Sequence, residues 1–174
     1  MRYYLFPLLL MPAGTPLAST TLLTSVTTST GSNLCVDITG GSSSIGTMLQ
    51  QWACNGFAAS QLFYVVPTYV NYVLYYTITD SAGHCWDLTS GSFTAGTLVE
   101  MWDCGNGNNQ RFQILPTQNG WVINPATAQG MCLDISDGSA SNGAAVQIFG
   151  CNGSPAQVFN FVSPPGKWSD GLTL

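Results

Sequence analysis

The sequence predicts an all-β protein assembled from three copies of one unit, on three observations. The six cysteines form three pairs of identical spacing: Cys35 to Cys54, Cys85 to Cys104 and Cys132 to Cys151 are each nineteen residues apart, and the first members are separated by 50 and 47 residues. The apolar segments are short, rich in β-branched and aromatic residues and bounded by turn formers, as in Leu98–Trp102, then Phe112–Leu115 and Trp121–Asn124 around Pro116–Gly120. No stretch of helical length carries an apolar 3.6-residue period, and the helix formers Lys, Arg and Glu are nearly absent.

In chain order, the first element is a targeting segment. Met1-Arg2 supplies a minimal basic start, Tyr3 to Met11 is apolar but too short to span a bilayer, and Pro12 to Ser19 is rich in small residues. That is the layout of a secretory signal over residues 1–18, cut after Ala18 or Ser19. Its loss removes Arg2 and takes the net charge from −5 to −6. Secretion places the cysteines in an oxidising compartment. Residues 19–162 then form one domain and 163–174 a loosely held tail. The Ser- and Thr-rich stretch 19 to 32 offers O-glycan sites or a plain lead-in, and Asn152-Gly153-Ser154 matches an N-glycan acceptor that Pro155 disfavours.

Aligned on the first cysteine, the units read Leu34-Cys35-Val36-Asp37-Ile38, His84-Cys85-Trp86-Asp87-Leu88 and Met131-Cys132-Leu133-Asp134-Ile135. Glycines follow each Asp at four and nine residues, namely Gly41, Gly91 and Gly138, then Gly46, Gly96 and Gly143. Gln50, Glu100 or Gln147 stands thirteen residues on, and Trp52, Trp102 or Phe149 two further. After the second cysteine a polar loop ends in Ser60-Gln61-Leu62-Phe63, Asn109-Gln110-Arg111-Phe112 or Ala156-Gln157-Val158-Phe159, and nine residues beyond that Phe lie Tyr72, Trp121 and Trp168. The repeat is beyond chance. Thr20 to Val26 corresponds to the strand that ends each later unit and is assigned to the first copy. The glycines belong to turns and the three Phe to the core, Trp86 packs, and His84 falls in a loop. Nineteen residues suit a strand, a reversing loop and a returning strand, so the cysteines pair 35–54, 85–104 and 132–151. Each bridge closes a loop worth about 3 kcal/mol in the chain-entropy model.

Composition excludes several partners and chemistries. With 3 Lys+Arg against 8 Asp+Glu, the chain lacks the basic clusters that nucleic acid and anionic membranes require. No membrane span is expected beyond the leader. One histidine and no Cys-x-x-Cys argue against zinc, and no metal or cofactor is expected. No Ser/His/Asp or Cys/His set is credible, and the only carboxylates placed to pair as in a glycosidase are Glu100 with Asp87 or Asp103. The protein is therefore not expected to be an enzyme.

The three Gln-x-Phe triplets, in register with Cys-x-Asp and Gln-x-aromatic-x-Cys stretches, resemble the ricin B-type lectins, also described as family 13 carbohydrate-binding modules. The resemblance spans about residues 20 to 162. It implies a β-trefoil: a six-stranded barrel capped by three hairpins, four strands per repeat, with pseudo-three-fold symmetry. It also implies sugar sites in which the early Asp bonds hydroxyls, the aromatic before the second cysteine stacks on the ring, a polar residue ahead of Gln-x-Phe completes the contact, and that Gln orients the Asp. On this reading repeat two is the most complete, with Asp87, Trp102, Asn109 and Gln110, and with Glu100 where the family often has Gln. That acid either turns the site against acidic sugars or spoils it. Repeat one has Asp37, Gln50, Trp52 and Gln61, with Ser60 replacing Asn and one extra residue after Cys54. Repeat three has Asp134, Gln147, Phe149 and Gln157, with Ala156 in place of the amide.

The chemistry fits, since a sugar offers one C–H face to an aromatic plate and a rim of hydroxyls to carboxylates and amides. The expected function is that of a secreted lectin, monomeric, binding cell-surface or polysaccharide glycans of the galactose or N-acetylgalactosamine type or related ones. The alternative is a sugar-silent trefoil, a protease inhibitor or secreted effector, that binds a protein through the Tyr-rich link Tyr64 to Tyr76.

Overall fold

The computed structural model describes residues 21–164. The expected signal segment, Trp168 and nearly all of the tail lie outside the described residues. Twelve antiparallel strands fall four to a repeat: β1 (Leu22–Thr28), β2 (Leu34–Ile38), β3 (Thr47–Ala53) and β4 (Phe63–Val70); β5 (Val73–Thr79), β6 (His84–Leu88), β7 (Val99–Asp103) and β8 (Phe112–Thr117); β9 (Gly120–Pro125), β10 (Met131–Ile135), β11 (Val146–Gly150) and β12 (Phe159–Val162). Among the described residues, helix is confined to one-turn 3₁₀ segments.

Six strands pair in a closed ring, β1–β4–β5–β8–β9–β12 and back to β1. The other six form the hairpins β2–β3, β6–β7 and β10–β11. The result is a β-trefoil. Closure leaves the barrel no free sheet edge, which suits a chain with few charges to guard one.

Each repeat contributes its Phe to the core: Phe63, Phe112 and Phe159 are fully buried, each worth roughly 1.5–3 kcal/mol of apolar transfer. Trp86 is also fully buried and meets Phe63 and Phe112 edge-on at ring separations of 5.0 and 6.5 Å. Val36 and Leu133 hold its place in the other repeats, so one oversized side chain fills space that smaller ones leave. The bridges Cys35–Cys54, Cys85–Cys104 and Cys132–Cys151 each join the start of one hairpin strand to the residue just past its partner.

The hairpins are laced into a cycle. The amide of Gly46 donates to the carbonyl of Met101 (2.7 Å), Gly96 to Ile148 (2.8 Å) and Gly143 to Gln51 (2.8 Å), so each repeat bonds the next and the third bonds the first. These glycines have φ of 79°, 88° and 85°, the left-handed region that aims their amides at the neighbour. Gln51, fully buried where the other repeats have Met101 and Ile148, reinforces one junction. Its Oε1 accepts from the Thr28 and Thr30 hydroxyls (2.6 and 2.5 Å), and its Nε2 donates to the carbonyls of Ser139 and Ser141 (2.9 and 3.2 Å).

Two local expectations are corrected. Trp121 pairs with Phe159 and Pro116, and the residue so placed in the preceding repeat is Tyr76, paired with Phe112 and Pro67, rather than Tyr72. The β4–β5 hairpin is four residues longer than β8–β9, which turns at Gln118-Asn119 alone. Equal spacing from Phe therefore carried Tyr72 to the exposed tip. His84 opens strand β6 instead of lying in a loop. Its Nδ1 stands 3.4 Å from Asp80 Oδ2, and its amide donates to Asp80 Oδ1 at 2.8 Å.

Candidate functional site

Each hairpin carries one cleft. Strand pairing sets Asp37 opposite Gln50, Asp87 opposite Glu100 and Asp134 opposite Gln147. Two residues further along the second strand, on the same face, come Trp52, Trp102 and Phe149. These rings are 43%, 43% and 46% exposed, which makes them open plates rather than packed hairpin residues.

Behind each Asp the Gln of Gln-x-Phe is fully employed. Gln61 Nε2 donates to Asp37 Oδ2 and to the Ala53 carbonyl (both 3.0 Å), while its Oε1 accepts from the Asn55 amide (3.0 Å). Gln110 repeats this with Asp87 Oδ2 (2.5 Å), the Asp103 carbonyl (2.9 Å) and the Gly105 amide (2.6 Å). Gln157 does so with Asp134 Oδ2 (3.0 Å), the Gly150 carbonyl (2.9 Å) and the Asn152 amide (2.8 Å). The triplet thus couples a buried ring two residues on to a largely buried carboxylate fixed on the cleft wall.

The repeats differ at the other carboxylate oxygen. Gln50 Nε2 donates to Asp37 Oδ1 and Gln147 Nε2 to Asp134 Oδ1, both at 3.0 Å. In repeat two Glu100 replaces that donor. Asp87 Oδ2 accepts from Gln110 and from Asn109 Nδ2 (2.7 Å), whereas Asp87 Oδ1 accepts from no side chain or amide among the described residues. Ser60 takes the Asn109 part in repeat one, donating to Asp37 Oδ2 at 3.0 Å, and Ala156 has no polar group to offer. Burial first, and the neighbouring Asp87 charge second, hold the Glu100 carboxyl above its ordinary value.

The clefts are unequal. Repeat two has about 690 Å³, lined by Asp87, Glu100, Trp102, Asp103, Asn109 and Gln110 among others. Repeat one has about 420 Å³ around Asp37, Gln50 and Trp52, with Ser60 and Gln61 standing behind Asp37 rather than on the wall. Repeat three has about 320 Å³ around Asp134, Gln147 and Phe149, with Gln157 likewise behind. The clefts are also lined by residues outside the sequence-based set, among them Asn55, Asp137 and Asn152. Asp137 and Asn152 follow Asp134 and Cys151 closely, and spacing from those markers locates them. A glycan on Asn152 would stand in the repeat-three cleft. Among the described residues no group of three or more His, Cys, Asp or Glu could hold a metal ion, and no helix is long and apolar enough to cross a membrane.

No curated protein sequence matches the chain. Solved structures share its fold. A designed three-fold symmetric protein, ThreeFoil, superposes with a TM-score of 0.73 at 22% identity, covering 81% of this chain and 98% of its own. The Rhizoctonia solani agglutinin gives 0.71 at 16% identity, with 88% and 99% covered. The C-half of an earthworm R-type lectin, solved in complex with GalNAc, gives 0.57 at 18% identity, with 82% and 98% covered. The ricin-type β-trefoil lectin domain model matches residues 23–159, most of the chain. With the trefoil closed, the Asp–Gln framework present in all three repeats and that match, the chain belongs to the ricin-type β-trefoil lectin family.

Proposed function

We propose that this protein is a secreted, non-catalytic lectin whose principal site is the repeat-two cleft, with the cleft of repeat one weaker and that of repeat three weakest. The ligands are glycans ending in galactose, N-acetylgalactosamine or a related sugar. The observation that carries the reading is the pairing, in the roomiest of the three clefts, of an exposed Trp102 plate with an Asp87 that is locked by two amides yet keeps Oδ1 free for hydroxyls. Asp37 and Asp134 have both oxygens engaged, so a ligand there must compete with Gln50 or Gln147. Lectin neighbours, one of them solved with GalNAc, support the sugar class. Shallow sites of this kind bind weakly one by one, and several on one frame raise avidity.

The test is a glycan array on the disulfide-intact protein beside Trp102→Ala. Signal on galactose-type glycans, lost in the variant, is expected; unchanged binding by calorimetry would refute the assignment. One observation favours a second reading, a protein target held by the β4–β5 hairpin: that hairpin is the longest, and Tyr69 and Tyr72 stand exposed on it. Silence across the array from a folded protein would leave this reading standing.

A further inference from the structure

Resting on the reading of the repeat-two cleft as a sugar site, we propose that this cleft selects 2-amino sugars carrying a free ammonium group, with Asp87 and Glu100 as joint acceptors and Trp102 as the plate. In the sister repeats an amide donor faces the Asp across the hairpin. In repeat two the facing pair is acceptor against acceptor. Glu100 is nine-tenths buried and lines the cleft, and its carboxylate makes no hydrogen bond among the described residues. A Cβ built on Gly46 would lie 3.8 Å from Glu100 Oε2 and 3.6 Å from the Trp102 ring, so the carboxylate and the plate border the same turn of repeat one.

No positive group answers this pair. Asp103 adds a third carboxylate to the cleft wall, and no Lys, Arg or His lines it. Strand β3, which pairs with β7 at Met48↔Glu100, has no ionisable residue, and Arg111 is engaged with Asn108 Oδ1 at 3.3 Å. Two carboxylates drawn together away from water favour a cation between them. An ammonium supplies three donors, enough for Asp87 Oδ1 and Glu100 together, whereas an acetamide or a hydroxyl supplies one. When that ammonium sits on a sugar ring, the C–H face of the same ligand covers Trp102. One ligand class therefore meets both features.

The methyl glycosides of galactosamine and glucosamine, each beside its N-acetyl counterpart, are titrated into the intact protein at pH 6.5 and 0.15 M salt. Binding is followed by Trp fluorescence and by amide NMR shifts at Asp87, Glu100 and Trp102. The wild type is expected to bind the amines about tenfold or more tighter than the N-acetyl sugars, the difference charge-assisted bonds make. Glu100→Gln, which installs the residue native to the sister repeats, is expected to lose that preference and to bind the N-acetyl sugars more weakly than the wild type does, because the new amide takes up Asp87 Oδ1, while Trp102→Ala loses both. Equal or weaker amine binding by the wild type, with N-acetyl binding still abolished in Trp102→Ala, would overturn the selectivity and leave the sugar site intact. A preference that survives in Glu100→Gln would assign it to overall negative charge and overturn the proposal. Silence of all four sugars would overturn the sugar reading and this inference with it.

Discussion

Replacing Glu100 by Gln should stabilise the protein, and by an amount that depends on pH. The wild type holds two carboxylates face to face across β6–β7, one of them without a hydrogen bond. The variant exchanges that repulsion for the Gln–Asp Oδ1 bond that both sister repeats make at 3.0 Å. A hydrogen bond to a charged group is worth roughly 1.5–3 kcal/mol. Part of it is spent on fixing the new side chain, so a gain of about 1–2 kcal/mol at pH 7 is expected. At roughly 2–4 °C per kcal/mol for a domain of this size, Tm should rise by about 2–8 °C. The sign with pH follows from the raised Glu100 carboxyl. Below its unfolded value Glu100 is protonated in both states, and the folded protein has the full benefit of its tighter proton. That benefit is lost as pH rises through the folded value. The facing ionisable groups are Asp87 and Asp103, with none from β3. Thermal melts of both proteins across pH 3.5 to 8 should therefore show a small gap in acid that widens toward neutrality. A variant no more stable than the wild type at pH 7, or a gap independent of pH, would refute the reasoning.

The frame makes its own predictions. Gly96→Ala places a side chain at φ +88° with no heavy atom within 4 Å, so the cost is conformational alone, about 1–2 kcal/mol, read from guanidinium unfolding. Trp86→Leu copies Leu133 from repeat three but leaves a void against Phe63 and Phe112. It should cost roughly 2–4 kcal/mol, tempered by removal of an indole N–H that is buried without a partner. Reduction should lower Tm steeply, because each bridge closes a loop worth about 3 kcal/mol; a melt indifferent to reductant would contradict the stabilising role of the three bridges.

The trefoil was legible because its evidence is periodic: a spacing of nineteen residues repeated three times, with Asp, Gly, Gln and aromatic residues in step, identifies the unit even where single positions are weak. The Asp87, Trp102, Asn109 and Gln110 cluster was legible for the same reason. Departures from the period were harder to read. The four-residue extension of β4–β5 hid behind an equal Phe-to-aromatic spacing, so Tyr72 stood in for Tyr76. Gln51 looks like a surface amide on an alternating strand, and its burial depends on Thr28, Thr30 and a loop nearly ninety residues away in repeat three. That Asp87 keeps one oxygen free is half legible, since Glu100 stands where Gln50 and Gln147 stand in the sister repeats, but which carboxylate oxygen each amide reaches is a matter of ångströms that residue types do not encode.

The cycle of glycine bonds, from Gly46 to Met101, Gly96 to Ile148 and Gly143 to Gln51, bears on how such a protein changes over time. A linear array of repeats has end units that fray first and must be capped. A ring of three has no ends: every unit supports and is supported, and loosening one relaxes two junctions at once. The atoms that lace the ring are backbone amides and carbonyls, whereas the atoms that face a ligand are side chains. Substitution at Asn109, Ser60 or Ala156 therefore leaves the ring untouched. One repeat is free to acquire a new ligand preference while its two neighbours keep the architecture standing, a division of labour built into a symmetric chain.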